Sequence, residues 1–301
     1  MWARYKNGNS VISINLDNGT KIRETKDDDF NLDFPESLDI ACTSYCTAGC
    51  PYCYANCSIN GKHADIMNAK FIDTLRPFTE AALQFNDLSH PDMIPFLEKL
   101  KARRVIANIT VNQIHFEEKE GIIDDLVKHN LVKGIGVSLQ KPTREFINNV
   151  KKYSNAVIHT INGILSPDDI EMLRDNDLKI LILGYKDLGR GANFAKTNEK
   201  LVKARQRYLY DVLKTLPEHF KCVCFDNLSL EQLNVKRIMT EDEWNKTYMG
   251  DEGTSSMFID LVKQKFGISS LCEENEMFPI MDNVDDMFAI VKKKARKTKS
   301  Q

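Results

Sequence analysis

The sequence has 301 residues, with 41 lysines and arginines against 43 aspartates and glutamates, which gives a net charge of -2. A balanced charge of this kind gives no general attraction to nucleic acid or to a membrane surface. No apolar run approaches the roughly 20 residues that span a bilayer. Residues 1–6 lack the apolar core of a signal peptide, so we expect a cytoplasmic protein. The length suits one large α/β domain better than two small domains.

The N-terminal residues carry the pattern of a β-meander. Asn7-Gly8 and Asn18-Gly19 are hairpin turn signals. Between them, from Val11 to Leu16, apolar side chains alternate with mostly polar ones, as they do in a half-buried strand. We therefore predict an N-terminal meander over residues 1–35.

From about residue 36, predicted strands alternate with predicted helices. The strands are expected near residues 38–42, 80–85, 105–112, 134–140, 155–162, 179–185 and 220–226. Ser166 before Pro167 marks one helix start, and Thr240 followed by Glu243 marks another. This alternation is typical of a parallel sheet. It predicts an α/β core over residues 36–226, followed by an accessory helical extension over residues 227–301.

Several predicted strands have one apolar and one polar face. Asn108, Thr110 and Asn112 alternate with Ile109 and Val111, and residues two apart share a face of a strand. The strands that contain Ser138, Gln140, Cys222 and Cys224 show the same pattern. A doubly wound sheet is apolar on both faces, so the pattern favours an open barrel with a polar interior. A solvated antiparallel sheet is the alternative, and the helices between the strands speak against it.

Five of the eight cysteines fall between Cys42 and Cys57. A secreted disulfide scaffold spreads its cysteines along a short chain, whereas a dense cluster in a long chain without a signal peptide indicates metal binding. The cluster follows the first core strand directly. In barrel enzymes the loops at the carboxyl ends of the strands carry the chemistry, so this loop is the predicted site.

The segment Cys46-x-x-x-Cys50-x-Tyr52-Cys53 resembles the CxxxCxΦC signature of the radical S-adenosylmethionine superfamily, whose stand-alone members occur in bacteria and phages. The resemblance implies a partial (β/α)6 TIM-like barrel. It also implies a [4Fe-4S] cluster on Cys46, Cys50 and Cys53, with one iron left for S-adenosylmethionine, because four cysteines are the ordinary complement. The expected reaction is reductive cleavage of S-adenosylmethionine to a 5′-deoxyadenosyl radical, which abstracts hydrogen from a substrate.

The same resemblance implies roles for other residues. Tyr52 is expected near the adenine, and the strand that ends at Gly184 is similar to the family's adenine-binding strand. The ribose and the methionine carboxylate are expected to meet the polar residues Asn108, Thr110, Ser138 and Gln140. The family usually ends its second strand with a glycine-rich turn that binds the amino group. Residues 83–87 contain no glycine, and Asn86 would supply a polar contact instead.

Three alternatives remain open at this point. Cys57 could complete a tetrahedral zinc site or a fully ligated electron-transfer cluster with the three signature cysteines. The missing glycines also fit a degenerate family member that keeps the cluster but acts as a binding or scaffold protein. If the chain is an enzyme, its substrate is an unknown small molecule, peptide or nucleotide, and flavodoxin or ferredoxin is the expected electron donor. Neither a membrane nor nucleic acid is an expected partner.

The remaining candidate residues are predicted to be structural. Cys222, Cys224 and Cys272 lack compact ligand spacing, so we expect core cysteines rather than a second cluster. We expect Thr160 and Asn162 to face the barrel interior, which would turn His159 toward the helices. Lys186 and Arg190 follow the sixth strand, where they could meet an anionic group or be solvated.

Overall fold

The computed structural model describes residues 1–27 and 29–299. Its N-terminal part is a three-stranded antiparallel sheet of β1 (Trp2–Asn7), β2 (Ser10–Asn15) and β3 (Lys21–Thr25). The turn between β1 and β2 contains Gly8 with a φ of 59°, a backbone conformation that glycine adopts readily. The predicted meander is therefore confirmed. Over the described range, no helix has the length and apolar character that crossing a membrane requires.

Seven consecutive parallel strands form most of a second, larger sheet. They are β4 (Ser37–Ala41), β5 (Glu80–Asn86), β6 (Ile106–Asn112), β7 (Gly134–Ser138), β8 (Ala156–Ile161), β9 (Lys179–Leu183) and β10 (Cys222–Phe225). Each strand pairs in parallel with the next one along the chain. The predicted alternation and all seven predicted strands are confirmed.

Helices connect these strands. They are α1 (Met93–Ala102), α2 (Gln113–Glu118), α3 (Glu120–Lys128), α4 (Arg144–Val150), α5 (Pro167–Leu173), α6 (Gly189–Thr197) and α7 (Glu199–Val212). Ser166 caps α5 through the main-chain N–H of Asp169, as predicted.

The C-terminal segment differs from the predicted helical extension. It does contain α8 (Asn227–Gln232), α9 (Glu241–Thr247) and α10 (Val284–Lys299). Three strands lie between α9 and α10, namely β11 (Ser256–Asp260), β12 (Lys265–Gly267) and β13 (Phe278–Pro279). Because β11 pairs in parallel with β4, these strands extend the large sheet beyond its first parallel strand. The predicted helices are therefore present, and the three strands are an element that the sequence did not predict.

The two faces of the large sheet differ as the sequence predicts. Ile40, Leu83, Ile109, Val137 and Ile180 are buried on the face that carries the helices. The residues between them form the opposite face, which we call the polar face. It comprises Asp39, Gln84, Asn108, Thr110, Asn112, Ser138, His159, Leu181 and Cys224. Thus amide, hydroxyl and imidazole groups stand along this face, and Asn112 and Ser138 lie at the carboxyl ends of their strands.

A buried group of charges joins the small sheet to the large one. The carboxylate of Glu36, just before β4, is 1% exposed. Its oxygens lie 3.3 Å from Lys21 Nζ and 2.8 Å from Arg23 Nε, both on β3. Lys21 also contacts Glu80 at the start of β5, at 2.5 Å. Because buried charges need partners, these ion pairs fix the small sheet against the amino ends of β4 and β5.

Candidate iron–sulfur site

The five clustered cysteines lie on the loop that follows β4. Main-chain hydrogen bonds fold this loop back on itself, from Ala64 N to Cys42 O at 3.0 Å and from Cys46 N to Ser58 O at 3.0 Å. The Thr47 hydroxyl lies 2.7 Å from Nε2 of the buried His115 on α2. The loop is therefore held at the carboxyl edge of the sheet, where parallel α/β folds bind their ligands.

Cys50 receives two amide donors from the polar side of the sheet. Asn112 Nδ2 and Gln140 Nε2 each lie 3.4 Å from its sulfur. The carboxamide oxygen of Asn112 accepts from Ile114 N and caps α2, which fixes the direction of its N–H groups. Gln140 is oriented by Tyr52, whose hydroxyl donates to its oxygen at 3.2 Å. Hydrogen bonds of this kind to cysteine sulfurs change the reduction potential of metal–thiolate centres.

Cys53 is the most acidic thiol of the loop. The Cys57 thiol, which donates to it, lowers the pKa of Cys53 to about 6. Backbone N–H groups of Cys57 and Ala55 act in the same direction, and so does the charge of Arg190. For the same reason the pKa of Cys57 is raised, and burial raises the pKa of Cys46. Because the thiolate is the metal-binding form, these hydrogen bonds favour the form of Cys53 that would bind a metal.

The turn after β5 contains no glycine, yet its backbone adopts the left-handed conformation that glycine favours. Asn86 has a φ of 53° and Leu88 has a φ of 58°, both in the left-handed region, which Asn enters more easily than most residues. The Asn86 amide donates to Thr43 O at 3.2 Å and to Tyr45 O at 3.1 Å. It also lies 3.4 Å from the Cys57 sulfur. Asn86 thus supplies the turn and also ties it to the cysteine loop.

Arg190 joins the first turn of α6 to the cysteine loop. Its guanidinium donates to Cys50 O at 3.0 Å and to Cys57 O at 2.9 Å, and its main-chain N–H donates to Cys53 O at 3.1 Å. Gly189 has a φ of 53°, and a Cβ at this position would lie 2.3 Å from Tyr54 O. Only glycine therefore allows this close approach. Of the two basic residues left open by the sequence, Arg190 donates to the cysteine loop. Lys186 donates to Ser270 at 2.7 Å, and its ammonium lies 4.1 Å from the ring centre of Tyr54 on that loop.

Arg190→Met is expected to loosen the cysteine loop. The variant keeps a side chain of similar length but loses two charge-assisted hydrogen bonds to carbonyl groups, each worth roughly 1.5–3 kcal/mol. Hydrogen exchange followed by mass spectrometry should show amides of residues 46–57 exchanging about tenfold faster or more. Arg207→Met on the exposed side of α7 is the control, because Arg207 contacts Asp211 and the ring of Tyr210, which both belong to the same helix. Equal exchange in the two variants would contradict the role of Arg190.

The other predicted cofactor residues lie at several places on the large sheet and after its strands. Asn108, Thr110 and Ser138 lie on the polar face, and Asn108 extends over Gly134 of β7. Gly184 follows β9, but its N–H already donates to Asp226 at 2.8 Å. The ring of Tyr52 packs edge-on against Phe194 of α6. Among the described residues, no three His, Cys, Asp or Glu side chains are grouped closely enough to hold one metal ion.

The expected orientation of His159 is wrong. Thr160 and Asn162 are buried on the helix-bearing side, where they donate to Leu181 O and to Gln232. The imidazole of His159 lies on the polar face instead, over Gly136 of β7. A Cβ at Gly136 would come within 2.2 Å of this ring. The glycine therefore makes the room that the imidazole occupies.

His159 should make the protein sensitive to acid. Burial lowers its pKa to about 4, whereas an unfolded histidine has a pKa near 6.5. Below about pH 6.5 the unfolded chain takes up a proton here that the folded chain does not, so stability falls as the pH drops toward 4. In urea titrations across this range, His159→Gln is expected to lose less stability than the wild type. The control variant His129→Gln changes an exposed histidine after α3 and should behave like the wild type. If the stability of His159→Gln falls with decreasing pH as steeply as that of the wild type, the assignment to His159 is contradicted.

The expectation of core cysteines is also wrong for two residues. Cys222 and Cys224 are exposed, and Cys272 is partly buried. Both exposed thiols belong to β10, which is an edge strand of the sheet. Strand alternation places them on the polar face, in register with Lys179 and Leu181 of β9.

Several residues of the site were not singled out from the sequence as contacts of the cysteine loop. Asn112 shares the alternation of Asn108 and Thr110, so its face was predictable but its bond to Cys50 was not. Gln113 accepts from the N–H groups of Gln140 and Lys141, and His115 anchors Thr47. These contacts join segments that are far apart in the chain, so no local sequence pattern predicts them.

No protein-family model matches this sequence, and a comparison with curated proteins finds no match either. In structure, the chain is similar to Streptococcus suis SuiB bound to S-adenosylmethionine. The TM-score is 0.57 at 12% sequence identity, and the match covers 88% of this chain and 80% of that one. A second structure of Streptococcus suis SuiB gives a TM-score of 0.53 at 12% identity, covering 88% and 81% of the two chains. At this identity the likeness shows a shared fold, an α/β architecture with a large, mostly parallel sheet.

Proposed function

We propose that the protein is a radical S-adenosylmethionine enzyme, with Cys46, Cys50 and Cys53 as the ligands of a [4Fe-4S] cluster. One observation carries the proposal: the signature thiols lie at the carboxyl edge of the parallel sheet, with two amide donors aimed at the Cys50 sulfur. The shared fold with an S-adenosylmethionine-bound protein supports it. In this proposal the parallel strands form the partial barrel that the resemblance implies, and the small sheet and C-terminal segment are accessory.

The residues present fit such a cluster. The three signature thiols lie within eight residues of sequence, so each could bind one iron of a cubane cluster. Hydrogen bonds to Cys53 lower its pKa and favour the thiolate that binds metal. Asn112 and Gln140 can donate to a thiolate sulfur, and Arg190 holds the peptide units around it. When bound, the cluster and S-adenosylmethionine supply one-electron chemistry and a 5′-deoxyadenosyl radical, and the protein supplies binding and orientation.

Polar groups of the sheet and of the loops at its edge would bind S-adenosylmethionine. Asn108, Thr110 and Ser138 offer amide and hydroxyl groups to the ribose and the carboxylate. Tyr52 would lie against the adenine. Asn86 stands where the family places its glycine-rich turn and would orient the amino group. Since the N–H of Gly184 is already donated to Asp226, that glycine would contribute close backbone approach rather than this donor.

The decisive experiment is an anaerobic cleavage assay. Protein reconstituted with iron and sulfide is incubated with dithionite and S-adenosylmethionine, and 5′-deoxyadenosine is measured by chromatography with mass detection. We expect its release, and none without dithionite. A brown, iron-loaded protein that releases no 5′-deoxyadenosine would favour a scaffold role, and a colourless, zinc-loaded protein would favour a structural metal site.

The substrate is an unidentified small molecule, peptide or nucleotide that fits beside the polar face. A one-electron donor such as flavodoxin or ferredoxin would replace dithionite in the cell. Exchange of dithionite for reduced flavodoxin in the same assay tests this partner, because a competent donor should restore 5′-deoxyadenosine release.

A further inference from the structure

A pair of thiols stands on the polar face away from the cysteine loop. Cys222 and Cys224 are two residues apart on β10, so strand alternation points both side chains to the same side. Their sulfur atoms are 3.4 Å apart, and both residues are exposed. The pair lies four strands from Asn112, the β6 residue that contacts Cys50. It is therefore separate from the proposed cluster ligands.

We propose that Cys222 and Cys224 form a chelating dithiol that binds a soft, thiophilic ion through both sulfur atoms. Thiolates are the ligands that soft ions select. A tetrahedral zinc ion with bonds of about 2.3 Å holds its sulfurs roughly 3.8 Å apart, so the observed separation needs little change for two sulfurs to share one ion. The exposed position leaves room for the ion and for the groups it carries.

The surroundings of the pair favour ionisation. The hydrogen bond with the Cys224 thiol lowers the pKa of Cys222 to about 6, and the ammonium group of Lys179 acts in the same direction. The neighbouring strand presents Lys179 and Leu181 in register with the two cysteines. Because β10 is an edge strand, its outer side carries no further strand among the described residues, and an ion can reach the sulfurs from there.

Phenylarsine oxide is the probe that matches this chemistry. Two arsenic–sulfur bonds form, the arsenic–oxygen double bond breaks, and the two thiol protons leave with the oxygen as water. The arsenic stays trivalent, so no oxidant or reductant is consumed. Two sulfurs on one strand make the second bond intramolecular, which is expected to raise affinity roughly 100-fold over a single thiol.

The test uses the cluster-loaded protein, kept reduced and anaerobic, so that the signature cysteines are occupied. Intact mass spectrometry under native conditions should show one phenylarsenic group per chain that persists at low reagent concentration. Digestion with trypsin can place it, because cleavage after Lys221 and Lys236 yields a peptide that contains both cysteines of the pair and no others. Cys222→Ser and Cys224→Ser should each lower the apparent affinity about 100-fold, whereas Cys272→Ser should leave it unchanged.

Three results would overturn the proposal. The arsenical could bind elsewhere in the chain, each single variant could bind as tightly as the wild type, or the wild type could fail to bind it at all. Peptide mapping on the wild type decides the first and third results even if a serine variant folds poorly. Because cluster loading is measured separately as bound iron, failure here is distinguishable from failure of the proposed enzymatic function.

Discussion

Cys50→Ser is expected to abolish assembly of the iron–sulfur cluster. Cys50 is the signature thiol that receives both amide donors, from Asn112 and Gln140, and a hydroxyl in its place is a poor ligand for iron beside soft sulfide. After anaerobic reconstitution, bound iron should fall from about four atoms per chain to background. The brown absorption should disappear, and release of 5′-deoxyadenosine should become undetectable.

Cys57→Ser is the matched control on the same loop. Cys57 is buried and hydrogen-bonded to Cys53 and Asn86, but it stands outside the three-cysteine signature. We expect its variant to keep the brown cluster and the cleavage activity. Loss of the cluster in this variant would identify a fourth thiolate ligand and remove the open iron on which the proposed radical chemistry depends.

Glu36→Gln is expected to destabilise the protein by about 3–5 kcal/mol, the usual cost of removing one partner from a buried ion pair. The carboxylate of Glu36 is 1% exposed, and the charged side chains of Lys21 and Arg23 are each 9% exposed. The substitution leaves two cations in a poorly solvated site, with Glu80 as the remaining contact of Lys21. Urea denaturation followed by circular dichroism should show a lower free energy of unfolding.

An exposed ion pair in the same small sheet gives the comparison. Arg4 and Glu24 contact each other at 3.2 Å, and their side chains are 67% and 61% exposed. Pairs of this kind contribute at most about 1 kcal/mol, so Glu24→Gln should shift the unfolding curve only slightly. Similar shifts in the two variants would mean that the buried charges do not hold the sheets together.

The sequence predicts most of the fold because its signals are local. Alternation of polar and apolar residues identifies the faces of β6 and β7, and Ser166 and Thr240 cap the helices that they are predicted to start. The spacing of the cysteines places the candidate site after β4. Residues Asn108, Thr110 and Ser138 occupy the predicted face, while their contacts with a cofactor remain predictions.

The errors arise where distant segments determine the outcome. Thr160 and Asn162 are polar yet turn toward the helices, where the Thr160 hydroxyl donates to Leu181 O and the Asn162 amide N–H donates to Gln232. His159 occupies the polar face because Gly136 on another strand leaves space for its ring. The sequence around Arg190 does not distinguish a solvated side chain from a buried contact. Its role follows from the packing of the start of α6 against the main chain at Cys50 and Cys57.

The pairing of β4 with β11 bears on how the chain is made. β4 ends at Ala41, whereas its partner begins at Ser256. During synthesis one edge of β4 therefore remains unpaired until more than two hundred further residues have left the ribosome. Unpaired edges invite association with other chains. Ribosome-bound intermediates that end before β11 are thus the stage at which nascent chains should depend most on chaperones.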